Sequence, residues 1–232
     1  MSNYVVTDAE LKAVADAIRA KRGTSEKLSF PDEWKSAISA ISSDGVYIPT
    51  EPYVEEIYNS NGELINVIMH GYTKIRGYFF ADCGSLALTS LPDGITSIGD
   101  SAFSGCQSLA LTSLPDGITI LGQSAFLGCK SLALTSLPSR LEVLKLNAFN
   151  GCKSLAITSI PASIRDIAID AFEGCTGLTS ITFKGKITNM SANAFRNCTN
   201  LTEIKVPWAE GEVANAPWGA TNATTTYNYT AE

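Results

Sequence analysis

Six cysteines stand at Cys83, Cys106, Cys129, Cys152, Cys175 and Cys198, each 23 residues after the one before, and the chain of 232 residues has no other. A fixed period of this length is the signature of a solenoid, in which each repeat forms one coil stacked on its neighbour. The rest of the unit keeps the same beat. An Ala-Phe pair follows nineteen and twenty residues after each of the first five cysteines, from Ala102-Phe103 to Ala194-Phe195. Proline recurs nine residues after the cysteine as Pro92, Pro115, Pro138, Pro161 and Pro207, with Lys184 the one exception. The first two units match at eighteen of 23 positions, a sign of recent duplication.

Apolar residues divide each coil into sides. Leu86, Leu88 and Leu91 recur as Leu109, Leu111 and Leu114, then as Leu132, Leu134 and Leu137. Alternation from Leu86 to Leu88 predicts a short strand, with a slip before Leu91, and the proline then ends ladder hydrogen bonding. A second apolar pair follows as Ile95 and Ile98, Ile118 and Leu121, Leu141 and Leu144, Ile164 and Ile167, Ile187 and Met190. The Ala-Phe pair fills the far side, and Gly or Asn before the next cysteine makes the turn. Equivalent cysteines on adjacent coils lie about 4.8 Å apart, the strand spacing. Their side chains point in parallel, whereas a disulfide needs converging Cβ atoms and a dihedral near about 90°. Cysteine also packs as a small hydrophobe. The expectation is a structural ladder of reduced, buried thiols; bridges or a metal are the alternatives, and no C-x₂-C pair offers a zinc site.

The flanks differ from the array. Thr7-Asp8-Ala9-Glu10 has the form of a capping box, and Leu11, Val14, Ala15 and Ile18 follow helical spacing, with Gly23 as a stop. Pro31 suits a first helical position, with Trp34, Ala37, Ile38 and Ile41 on one face. Residues 1–42 are therefore read as a helical hairpin that docks on a larger assembly or self-associates, and 43–59 as a linker. Residues 60–82 read as a degenerate capping coil, aligning Ile75 with Ile98 and Phe80 with Phe103. Residues 83–197 are five regular repeats, and 198–220 a capping coil in which Pro217 and Trp218 replace the Ala-Phe pair. Residues 221–232 are a loose or extended tail.

The function classes narrow by charge and by missing motifs. A net charge of −6 argues against nucleic acid, whose phosphates need clustered Lys and Arg. No run of eighteen apolar residues is present, so no membrane insertion is expected. The first residues lack the basic start and apolar run of a signal peptide, which leads to the expectation of a chain made in the cytoplasm. His70 is the single histidine and reads as a surface or capping residue. Without G-x-S-x-G, H-E-x-x-H, G-x-G-x-x-G or Walker A patterns, no catalytic, cofactor-binding or metal residue is assigned. What remains is a surface. Outward positions form the candidate row Thr89, Ser90, Thr112, Ser113, Thr135, Ser136, Thr158, Ser159, Thr182 and Lys205, suited to a protein or glycan ligand. Charged residues gather in the later coils, among them Lys130, Arg140, Glu142, Lys145, Lys153 and Arg165.

The unit C-x-S-L-x-x-x-x-L-P-x-x-I-x-x-I-G-x-x-A-F-x-G over residues 83–220 resembles the BspA-type leucine-rich repeat. That resemblance implies an α+β protein, namely a right-handed solenoid with one short parallel strand per coil, here preceded by the helical hairpin, and a binding rather than catalytic role. Residues 11–32 resemble a helical module of phage and prophage tail-associated proteins of Gram-positive gut bacteria. Val206-Pro207-Trp208 through Trp218-Gly219-Ala220 resembles a cap found on such proteins. These two likenesses imply a virion-associated host-contact protein. A cell-surface adhesin, exported by a signal trimmed from this sequence, is the alternative reading, and an enzyme or toxin accessory domain a weaker one.

Overall fold

The computed structural model describes residues 52–230. The helical hairpin expected over residues 1–42 lies outside them, as does most of the linker. Among the described residues every regular element is a strand, so this part of the chain is all-β rather than α+β: a right-handed solenoid of about seven turns.

It opens with a hairpin. Strand β1 (Tyr53–Tyr58) pairs with β2 (Leu64–His70) across a turn in which the Gly62 N–H donates to the Asn59 carbonyl. Asn59 Oδ1 accepts the N–H groups of Asn61 and Glu63, the side-chain turn that asparagine favours. Residues 53–58, expected in a linker, are thus a strand, and β2 runs straight into the first coil.

Two ladders climb the solenoid. The isoleucine ladder carries one two-residue strand per coil: β3 (Lys74–Ile75), β4 (Ser97–Ile98), β5 (Ile120–Leu121), β6 (Val143–Leu144), β8 (Asp166–Ile167) and β10 (Asn189–Met190). Pairing is parallel, and Ile75, Ile98 and Leu121 stand in register, as do Leu144, Ile167 and Met190. The leucine–proline ladder forms only in the later coils, from β7 (Ser159–Ile160), β9 (Ser180–Phe183), β11 (Glu203–Lys205) and β12 (Thr224–Thr226).

This corrects the expected strand position. In the first coils Leu86, Leu88 and Leu91 all point inward while Thr89 and Ser90 both face solvent. Two successive outward residues break the alternation a ladder needs. Single bonds still link these coils, such as Ala110 N–H to Leu88 O at 3.0 Å. From Ser180 to Phe183 the alternation is regular, with Ile181 and Phe183 buried, and four residues become strand.

The isoleucine ladder breaks once, between β5 and β6. Gly99 and Gly122 let successive backbones nearly touch: a Cβ on Gly122 would sit 2.3 Å from Asp100 N and from Gly99 C. Lys145 takes the equivalent place one coil later. The bond made by Gly122 N–H to Ile98 O, and resumed by Ala168 N–H to Leu144 O, is interrupted there. Ile120 and Val143, the outward residues on either side of the break, are exposed at the surface.

Inside, identical side chains stack. The rings of Phe80, Phe103, Phe126, Phe149, Phe172 and Phe195 form one column, with centroids 5.1–5.6 Å apart. Four of its five steps are within 7° of parallel. The column ends in Phe183, Trp208 and Trp218, which meet it and one another edge-on or tilted. Trp218 is wholly buried and donates Nε1–H to Ala214 O at 2.7 Å. The tail completes this end, because β12 adds to β11 in parallel register and covers its edge.

Candidate functional site

Buried chemistry comes first, and it is structural. All six cysteines are free, five of them buried and Cys83 half-buried. Each buried thiol donates to the carbonyl of the phenylalanine in the preceding coil, from Cys106 Sγ to Phe80 O at 2.9 Å through Cys198 Sγ to Phe172 O at 3.0 Å. The same carbonyls also accept a backbone N–H, as Phe103 O does from Cys106. The thiol therefore fills a second lone pair in a water-free place, a reason for cysteine over alanine there. Burial pushes the thiols of Cys106 and Cys198 up to about 12 and those of Cys152 and Cys175 well above their ordinary value. A thiol held protonated is a poor nucleophile and a poor metal ligand.

The ten candidate surface residues fall on two lines of 23-residue steps, Thr89, Thr112, Thr135 and Thr158 beside Ser90, Ser113, Ser136, Ser159, Thr182 and Lys205. Thr89 and Ser90 line a hollow of about 310 Å³ against Asn66–Met69 of β2. Thr112, Ser113 and Thr135 are exposed and lie on no strand, and the Thr158 carbonyl accepts the Thr182 N–H. Ser159, Thr182 and Lys205 stand in direct parallel strand register on β7, β9 and β11, with Thr226 of β12 next in line. The neighbouring row is Ser180, Glu203 and Thr224. Lys205 Nζ pairs with Glu203 at 3.0 Å and lies 5.4 Å from the centre of the Tyr229 ring. Strand spacing thus sets small hydroxyls beside one held ammonium.

Beside this sheet runs a groove of about 330 Å³. Ser136, Ser139, Ser159, Pro161 and Lys184 are among its lining residues. Ser136 and Ser159 belong to the expected surface, whereas Lys184 was singled out only as a missing proline. Its N–H donates to Ile160 O at 3.0 Å, a bond proline at this position cannot make.

A second polar group escaped the sequence reading. Arg196 binds Glu173 at 2.8 Å and Asp170 at 3.4 Å, and Glu173 also accepts from Asn150 and Asn197. The hydrogen bond from Arg196 holds the Glu173 carboxyl below the usual carboxylate range. Asn150, Glu173 and Arg196 are 23 residues apart, so the period itself carried the signal. Lone His70 lies 2.9 Å from Glu55 across the β1–β2 hairpin.

Six copies of the BspA-type leucine-rich repeat region match residues 73–202, more than half of the chain. The chain belongs to the BspA-type leucine-rich repeat family. Among solved structures this BspA-type protein is similar to the T. pallidum leucine-rich repeat protein, at 28% identity and a TM-score of 0.53, covering 68% of this chain and 84% of that one. It also matches a leucine-rich cell surface protein of Faecalibacterium prausnitzii A2-165, at 27% identity and a TM-score of 0.48, covering 74% of this chain and 41% of that one. No curated protein matches it.

Proposed function

We propose that this BspA-type protein is a non-enzymatic binding module that holds a protein or glycan surface against its leucine–proline ladder. The observation that carries this reading is the in-register row Ser159–Thr182–Lys205 on the four-stranded parallel sheet β7–β9–β11–β12. A rigid sheet presents these side chains at fixed spacing without further loss of backbone entropy, which favours contact with an extended ligand. The test is binding of the intact chain to a glycan array and to bacterial cells, alongside Thr182→Arg, which puts a bulky cation in the middle of the row. Loss of binding in the variant is expected. Equal binding by both would remove the row from the interface, and a chain that binds nothing would sink the reading.

The likeness of residues 11–32 and 206–220 to phage-associated segments supports a finer proposal: the module is carried on a phage or prophage tail as a host-contact protein, with residues 1–42 docking on the assembly. Tail and lysis genes beside its own are the expected finding. Secretion or wall-anchoring genes there would instead make it a cell-surface adhesin.

A further inference from the structure

We propose that the groove at Lys184 receives an anionic group, a carboxylate or a phosphate, carried on a glycan; this rests on the binding role above and specifies its ligand. The repeat itself shows the change. Immediately after the proline, the first two coils carry Asp93 and Asp116, and the next three carry Ser139, Ala162 and Gly185. The acid is thus lost from the three successive coils that build the groove. On the last of them Lys184 replaces the proline. No Asp or Glu lines the groove.

The donors are uncommitted. Among the described residues Lys184 makes no ion pair, whereas Lys186, two residues on, is tied to Glu212 at 2.9 Å. Exposed Arg140, next to Ser139, is likewise without an ion pair. The hydroxyls of Ser136, Ser139 and Ser159 have no side-chain hydrogen bond among the described residues, while Ser163 donates to Leu141 O at 2.8 Å. Three serines and a lysine lining one groove suit an oxyanion, since hydrogen bonds to a charged acceptor are the stronger kind. Pro161 adds an apolar wall against which a sugar ring packs. Gly185 keeps the turn tight, because a Cβ there would lie 2.8 Å from Ala162 Cα.

Titration calorimetry of the intact chain at low salt tests this, with oligogalacturonate as the carboxylate probe, phosphomannan as the phosphate probe and dextran as the neutral one. At least one anionic probe binds and dextran does not; which one binds names the anion. Lys184→Gln weakens that binding about tenfold or more, and Ser139→Asp, which restores the acid of the earlier coils, does the same. Lys153→Gln removes an equal charge away from the groove and changes affinity less than about twofold. Silence from both anionic probes, or equal weakening by Lys184→Gln and Lys153→Gln, overturns the proposal. If the chain then still binds cells or neutral glycans, only this inference fails. If it binds nothing, the binding role fails with it.

Discussion

Replacing Phe126 by alanine removes one ring from the middle of the phenylalanine column. The side chain is fully buried, with Phe103 at 5.4 Å on one side and Phe149 at 5.6 Å on the other. Buried Phe→Ala changes cost about 3–5 kcal/mol, the lost transfer energy plus the cavity left behind. Each ring–ring contact adds about 0.5–1.5 kcal/mol beyond area. A loss near about 4–5 kcal/mol follows, since a stiff array of coils cannot close over the hole. With a urea slope of about 2 kcal/mol/M, the unfolding midpoint falls by about 2 M, read by circular dichroism. Phe126→Leu keeps most of the volume and costs about 2 kcal/mol or less. Phe80→Ala, at the end of the column with one parallel neighbour, costs less than Phe126→Ala because coil energies add by nearest neighbours. A cost under about 1 kcal/mol at Phe126, or an equal cost at Phe80, would refute the stacked-column argument.

Three further outcomes are expected. Gly122→Ala drives a Cβ into the backbone of the preceding coil and costs about 2 kcal/mol or more in urea melts, whereas Lys145→Ala, at the equivalent place where the ladder is already open, changes stability by less than about 0.5 kcal/mol. The buried thiols stay protonated in the fold but ionise above about pH 8.5 when unfolded. Stability is therefore full below that pH and declines by about 1.4 kcal/mol per pH unit for each buried thiol as pH rises toward the folded values, about 12 for Cys106 and Cys198. A urea midpoint unchanged between pH 8 and 10 would contradict this, as would native labelling of more than Cys83 by a thiol reagent at pH 8. Deleting residues 221–232 uncovers the edge of β11, lowers the melting temperature and promotes self-association at high concentration, measured by light scattering; a truncated chain as stable and monomeric as the whole would show that β12 caps nothing.

Much of the fold was legible because a chain that returns to the same place every 23 residues must stack equivalent side chains. The phenylalanine column and the thiol ladder follow from that rule alone. The position of the strands did not follow. Leu86–Leu91 had the better strand pattern, yet two adjacent outward residues spoiled it, and the ladder formed at Ile98 instead. Ser101, Ser124, Asn147 and Asp170 take φ of 53–56°, a left-handed turn before the first four Ala-Phe pairs that their varied identities hid. For the site, the outward Thr and Ser positions were read as ladders from the period, and the strand register of Ser159, Thr182 and Lys205 came from the structure.

The 23-residue sequence period, by itself, determined the coil, its core and the inertness expected of six cysteines, because these depend only on which residues are equivalent. Tertiary structure decided what depends on a backbone's exact approach to its neighbour. It broke the isoleucine ladder at Lys145, between β5 and β6. It turned the tail into the last strand, since β11 had an open edge. It also set Lys184, conspicuous in the sequence only as an absent proline, on one groove with three serines contributed by two other coils.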